Sequence, residues 1–203
     1  MSRVGIITLY YNNDNYGGIA QAYALCEQIK KMGHEPELIS YQYTPSQKRS
    51  KLDKIKEKGI FQLINDRMIY LPKLVIQKMG NKIAKKKYGK DAAKDIELRK
   101  KAFAESRDRI SHSSVYTEDI MEDCVERYDI FVSGSDQIWK TGVVQGPYVL
   151  SFVPDGKKRF SYESSIAVTT LDEAYGEYMK EALWKYSCVS VREKASKNIW
   201  KIY

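Results

Sequence analysis

A strand, a helix and a second strand follow one another in the first 43 residues, and this order limits the fold more than any other feature. Residues Arg3–Tyr10 (RVGIITLY) are apolar and β-prone, as expected of a strand buried on both faces of a parallel sheet. After an Asn- and Gly-rich loop at Tyr11–Gly18, apolar residues recur at helical spacing from Ile19 until Gly33, which predicts the helix end. Glu37–Tyr43 is predicted as the second strand. Such a βαβ unit has a right-handed crossover in nearly all known proteins.

The same alternation resumes in the C-terminal half of the sequence. Three further strands are predicted at Tyr128–Ser133 (YDIFVS), Arg159–Ser164 and Cys188–Val191, with a helix at Leu171–Trp184 between the last two. This order predicts an α/β fold, a doubly wound domain with a mainly parallel sheet. Beyond Val191 a helical apolar face begins, but the sequence stops at Tyr203, which we interpret as a chain interrupted inside a larger architecture.

The stretch from about residue 46 to 111 departs from this alternation. It is Lys-rich and helix-prone, with an apolar stripe around Pro72, and we interpret it as a basic helical insertion in a single domain, 1–203. Lys48–Arg109 holds 20 of the 34 Lys and Arg residues but 8 of the 26 Asp and Glu residues, so the net charge of +8 arises there. This indicates a local anionic partner or a solvated helix surface, and no nucleic-acid binding. Peripheral association with an anionic membrane is one alternative, and a solvated lysine face is the favoured one.

The lengths of the apolar runs and the spacing of the cysteines predict where the protein is located and whether it binds a metal. No run of about 18 apolar residues is long enough to span a bilayer, and the N-terminus lacks the pattern of a secretory signal, so we expect a cytoplasmic protein. Cys26, Cys124 and Cys188 are far apart and show no Cys or His ligand spacing. They are predicted to be buried thiols, with no metal site.

Ligands of open parallel sheets bind beyond the carboxyl ends of the strands, and the first loop expected there is Asn12–Gly18. Its paired glycines allow close approach to the backbone, while its Asn side chains can cap the next helix or bind a sugar or phosphate. Ordinary turn and cap chemistry explains the loop equally well. The loop lacks a GxGxxG fingerprint, so dinucleotide binding is not indicated.

Two more loops complete the predicted site. Gly134–Trp139 (GSDQIW) places a hydroxyl, a carboxylate and an amide after a buried strand, where Asp136 could accept a proton or, more commonly, cap a helix. Arg192 follows the last strand and could bind a phosphate or carboxylate, with a surface ion pair as the alternative. The candidate binding residues are Asn15, Tyr16, Gly17, Gln21, Gly134, Ser135, Asp136, Gln137 and Arg192, and Asp136 is the one catalytic candidate.

The histidines do not suggest a catalytic group. His34 follows the helix end, at the opposite edge of the sheet from these loops, and His112 is expected in a polar connector. No GxSxG segment indicates a hydrolytic triad.

Four segments, in order, resemble the polysaccharide pyruvyl transferase family. Gly5–Leu25 (GIITLYYNNDNYGGIAQAYAL) is similar to the family's opening, and Gly33–Tyr41 (GHEPELISY) to its second strand. Tyr128–Trp139 (YDIFVSGSDQIW) resembles its Gly-Ser-Asp-Gln-x-Trp signature, and Ser190–Lys194 (SVREK) its Ser-x-Arg-Glu segment. One departure lies at Ser161–Ala167 (SYESSIA), where the family usually has a small residue after the tyrosine and a glycine near the end.

The resemblance implies a GT-B-type fold, in which two Rossmann-like domains face a cleft, and transfer of pyruvate from phosphoenolpyruvate to sugar hydroxyls as a ketal. Phosphoenolpyruvate is the donor substrate, no other cofactor is implied, and the partner is a saccharide or a lipid-linked glycan. Because family members are longer, we expect this chain to be a truncated acceptor-side half, inactive alone, without its C-terminal Rossmann-like domain. A non-catalytic saccharide-binding module and a GT-B glycosyltransferase using a nucleotide sugar are the alternatives.

Overall fold

The computed structural model describes residues 1–13, 15–42, 89, 94–134, 137–140, 146–168 and 171–197. The chain divides into two compact units, one of Met1–Tyr43 with Phe103–Tyr203, and one of Thr44–Ala102. Of the second unit, the description covers residue 89 and residues 94–102, which are helical. The apolar stripe around Pro72 and most of the predicted basic insertion lie outside the described residues, as does the membrane contact proposed for them.

Six parallel strands form the sheet of the first unit. In chain order they are β1 (Arg3–Ile7), β2 (Glu35–Tyr41), β3 (His112–Tyr116), β4 (Ile130–Gly134), β5 (Lys158–Ser164) and β6 (Cys188–Val191). Their order across the sheet is β3-β2-β1-β4-β5-β6, and each neighbouring pair is parallel. This confirms the predicted α/β class with a Rossmann-like arrangement, in which the order of the strands across the sheet reverses beside β1.

Helices connect these strands. They are α1 (Tyr16–Lys31), α2 (residues 94–108) and α3 (Glu173–Trp184), with 3-10 helices at Glu118–Arg127 and Gly146–Val149. The buried positions of α1 recur every three or four residues, so one face of the helix packs on the sheet. The first α-helix therefore begins three residues before the predicted Ile19–Met32 pattern and ends at Lys31, with Met32 as its C-cap. No helix among the described residues has the length and apolarity needed to cross a membrane.

Both faces of the sheet are covered by apolar cores, as expected of a doubly wound domain. Alternate strand residues point to opposite faces: Ile6 and Leu38 join the core beneath α1, whereas Ile7 and Ile39 join the core on the other face. Trp139 is fully buried in that second core. Burial on both faces explains why β1 and β4 are nearly continuous apolar runs.

Three expectations from the sequence were wrong. His112 does not lie in a connector, because it begins β3, an edge strand that the sequence analysis missed. This strand is polar because Ser113 bonds to β2: its hydroxyl accepts from the Ser40 amide at 3.0 Å, and its carbonyl accepts from the Ser40 hydroxyl at 3.0 Å. The first strand was predicted to end at Tyr10, but it ends at Ile7. Cys188 was predicted to be buried, but its thiol is exposed because β6 is the other edge strand.

Candidate functional site

A cavity of about 530 Å³ lies at the carboxyl edge of the sheet, beyond β1, β4, β5 and β6. Because parallel strands end at one edge, loops distant in the sequence meet there. Five of the predicted site residues line this cavity: Asn15, Gly17, Gln21, Gln137 and Arg192. Four further residues of the wall were not predicted: Leu9, Asn13, Gly18 and Glu163.

The N-terminus of α1 forms one side of the cavity. The Asn15 side chain caps the helix, since its Oδ1 accepts a hydrogen bond from the Gly17 amide at 2.9 Å. The Asn13 side chain donates to the carbonyl oxygen of Leu9 at 2.7 Å and fixes the loop after β1. The first turn of α1 has no acidic residue, so no side chain of that turn offsets the partial positive charge of its free amides. This side therefore favours hydroxyl or anionic groups of a ligand.

The loop after β4 forms a second side. Gln137 reaches the cavity from a left-handed backbone conformation, with φ at 58°. Trp139 anchors the loop in the core: its amide donates to Ser165 O at 3.1 Å, and its Nε1 donates to Tyr148 O at 3.3 Å. The predicted residues Ser135 and Asp136 lie outside the described residues.

Two other predicted residues are described but do not line the cavity. Tyr16 is 78% exposed at the start of α1. Gly134 is the last residue of β4, where it is buried and paired with Tyr162 of β5. Its position close to that strand indicates a role in strand packing.

The segment after β6 supplies Arg192. Its neighbour Glu193 accepts hydrogen bonds from the hydroxyls of Ser165 at 2.5 Å and Ser196 at 2.8 Å. These bonds tie the segment to the loop after β5. The position of Arg192 at the cavity is thus held by contacts of the residue that follows it.

Glu163 is the ionisable residue among the cavity residues that were not predicted. The signal was present in the departure at Ser161–Ala167, where Glu163 occupies a position at which similar sequences carry a small residue. Glu163 and Arg192 are the ionisable side chains of the cavity wall among the described residues. The cavity therefore combines a carboxylate, a guanidinium, side-chain amides and backbone amides, a set that suits a ligand rich in hydroxyls.

Two buried tyrosines near this edge are unsuited to act as bases. The Tyr10 hydroxyl lies 2.7 Å from the Ser40 hydroxyl, and the Tyr186 hydroxyl lies 3.1 Å from that of Ser133. Burial raises the pKa of Tyr10 to about 12 and also raises the pKa of Tyr186 above its ordinary value. Both phenols are therefore protonated at neutral pH.

The opposite edge of the sheet holds a second cavity of about 560 Å³, and His34 lies there as predicted. The charged residues around it pair with one another: Arg127 lies 3.0 Å from Glu37, and Arg3 lies 3.3 Å from Asp129. The Arg3 contacts lower the pKa of Asp129. Two ion pairs thus lie at this edge, at the end of the sheet remote from the candidate site.

Metal binding finds no support in the part of the chain that the structure describes. There, no group of three or more His, Cys, Asp or Glu residues lies close enough to hold an ion.

Comparison with protein families gives one match. Residues 15–203, most of the chain, match the model described as polysaccharide pyruvyl transferase. Comparisons with curated proteins and with solved structures gave no match. The matched range includes α1 and its N-terminal cap, all five strands after it, and all the residues that line the cavity except Leu9 and Asn13.

Proposed function

Because this chain belongs to the polysaccharide pyruvyl transferase family, we propose that it serves the transfer of pyruvate from phosphoenolpyruvate to a cell-surface or exopolysaccharide sugar, as a ketal. The observation that carries the proposal is the cavity in which Asn15, Gln21, Gln137 and Arg192 meet at the carboxyl edge of a parallel sheet. Sites of open α/β sheets lie at this edge.

The proposed reaction sets clear chemical demands. The methylene carbon of phosphoenolpyruvate gains a proton and becomes a methyl group, two sugar hydroxyls bond to the adjacent carbon, and inorganic phosphate leaves. A cation or a helix N-terminus must offset the negative charge of the donor, an acid must protonate carbon, and a base must take a hydroxyl proton. The backbone amides at the N-terminus of α1 and the Arg192 guanidinium would supply part of the positive charge that offsets the donor.

We further propose that residues 1–203 form the acceptor-facing wall of a GT-B-type cleft, with a second Rossmann-like domain opposite. Side-chain amides both donate and accept hydrogen bonds, so Asn15, Gln21 and Gln137 suit the mixed donors and acceptors of a sugar. The acceptor would be a saccharide or a lipid-linked glycan. The groups that bind the donor phosphate would then lie mainly in the facing domain, and the chain alone would bind acceptor without turnover.

Phosphate release tests the proposal directly. The chain, together with a version extended by a second domain, is incubated with phosphoenolpyruvate and a panel of cell-surface glycans, and inorganic phosphate and pyruvylated glycan are measured. We expect phosphate release only when an acceptor is present, in equal amount to the ketal formed. Failure of the extended version to release phosphate with every glycan would contradict the proposal.

The same assay separates the two alternatives. A saccharide-binding module would bind a glycan without consuming phosphoenolpyruvate. A glycosyltransferase would consume a nucleotide sugar in place of phosphoenolpyruvate and would add a sugar to the glycan.

A further inference from the structure

The pairing of β5 with β6 contains an irregularity beside the cavity. Ser161 pairs with Val189 and Ser164 pairs with Val191, so two residues of β5, Tyr162 and Glu163, face the single residue between the β6 partners. Such a β-bulge changes the direction of the side chains that follow it and is frequent next to binding sites. Here the bulge brings Glu163 into the wall of the cavity.

The backbone of Glu163 supports a functional explanation of this bulge. Its φ is 49°, in the left-handed region that favours glycine and that a residue with a Cβ adopts at a cost in energy. Strained backbone of this kind is concentrated at binding and catalytic sites, where the surrounding structure holds it in place. A glycine would adopt this left-handed conformation at lower cost, so the fold alone gives no reason for a glutamate in the bulge.

Contacts within the described part of the chain do not explain the presence of the Glu163 carboxylate either. Among the described residues it makes no hydrogen bond and no ion pair, and the residue is exposed to the cavity. Its neighbours in the wall are the amide side chains of Asn15, Gln21 and Gln137 and the guanidinium of Arg192. The amides both donate and accept hydrogen bonds and the guanidinium only donates, so Glu163 is the charged acceptor among the described residues of the wall.

We infer that Glu163 determines which acceptor sugar this chain binds, through hydrogen bonds that its carboxylate accepts from two neighbouring hydroxyls of the sugar. The inference rests on the proposed function, because it assigns the cavity to the acceptor. A carboxylate presents two charged oxygens, one for each of two neighbouring hydroxyls, whereas an amide presents one neutral oxygen and a small residue none. The bulge places this group at the wall, and its chemistry selects sugars with an adjacent pair of hydroxyls in reach.

Binding of simple glycosides tests the inference. The methyl glycosides of glucose, galactose and mannose, and deoxy versions that lack one hydroxyl of each neighbouring pair, are titrated into the chain by NMR without phosphoenolpyruvate. We expect Glu163→Gln to weaken the best-bound glycoside about 10- to 100-fold, since hydrogen bonds to a charged group are lost. For the deoxy version of that glycoside the same substitution should have a much smaller effect. Glu181→Gln removes the same charge from the exposed face of α3 and should leave binding unchanged.

Glu163→Gly separates binding from folding. It relieves the left-handed backbone, so its melting temperature should rise, while its affinity for the glycoside should fall as far as that of Glu163→Gln. A purely structural role predicts a glycine variant that binds as well as the wild type.

Wild-type affinity in Glu163→Gln, or a wild-type chain that binds none of the glycosides, would overturn the inference. Phosphate release decides the proposed function separately. Glycoside binding that depends on Glu163, with no phosphate release by the extended version with any glycan, would remove the transferase proposal and keep this one. Acceptor-dependent phosphate release by the extended version that Glu163→Gln leaves unchanged would support the transferase proposal and overturn the inference about Glu163.

Discussion

Gly134 lies so close to Tyr162 that a Cβ atom on the glycine would come within 2.6 Å of the tyrosine carbonyl oxygen. The two residues are paired in neighbouring strands, so the carbonyl cannot move aside without disturbing the sheet. This close approach explains why the strand that leads to the second loop of the site ends in glycine. It also fixes β4 against the bulge that carries Glu163.

Gly134→Ala should therefore lower the free energy of unfolding by about 1–3 kcal/mol, the usual cost of overpacking a well-packed site. Urea denaturation followed by circular dichroism measures the change. Gly17→Ala is the control, because its Cβ would meet only the Asn15 side chain, at 3.4 Å. Equal losses in both variants would show that the contact with Tyr162 has no special cost.

Removal of the α1 cap gives a second prediction. Asn15→Ala deletes the acceptor for the Gly17 amide and should cost about 1 kcal/mol of stability. Asn15→Asp keeps an acceptor at the helix N-terminus and should retain wild-type stability at neutral pH. Thermal melting of the three proteins measures the effect. An alanine variant as stable as the aspartate variant would contradict a capping role.

Much of this architecture could be predicted from the sequence because its signals are local. β1 and β4 are buried on both faces and are therefore recognisable as apolar runs, and the cap of α1 lies at a loop rich in Asn and Gly. The meeting of the first and second loops follows from parallel topology, since strands that run the same way end at one edge. The convergence of Asn15 and Gln137 on one cavity was thus predictable once the strands were placed.

The features that were missed depend on contacts between distant segments. The strand β3 has no apolar alternation, because Ser113 is satisfied by Ser40 of the neighbouring strand, 73 residues away. The exposure of Cys188 depends on the order of the strands, which places β6 at an edge. The contribution of Glu163 to the cavity depends on the register between β5 and β6. None of these relationships is visible in a short window of sequence.

The three thiols should differ sharply in reactivity. Cys26 and Cys124 are buried, and burial raises the pKa of Cys26 to about 11 and that of Cys124 to about 12, so neither forms the reactive thiolate at neutral pH. We expect iodoacetamide to modify Cys188 alone in the native protein and all three cysteines in urea, as measured by peptide mass spectrometry. Rapid native labelling of Cys124 would show that the core around it opens.

Alkaline pH should destabilise the protein partly through Tyr10. Burial raises its pKa from 10.0 to about 12, so between these values the unfolded chain ionises the phenol while the folded chain keeps it neutral. The unfolded state then binds fewer protons, and stability falls as pH rises through this window. The contribution is fully present below pH 10 and its loss amounts to about 2–3 kcal/mol by about pH 12.

Tyr10→Phe tests this assignment with two readouts, the urea midpoint at neutral pH and its dependence on pH. The variant loses the hydrogen bond to Ser40, so it should be less stable by about 1 kcal/mol at neutral pH. It has no phenol to ionise, so its stability should fall less than that of the wild type above pH 10. Tyr16→Phe removes an exposed hydroxyl and should follow the wild-type profile. If Tyr10→Phe loses stability as steeply as the wild type above pH 10, Tyr10 is not a source of the alkaline instability, and ionisation of other buried groups must account for it.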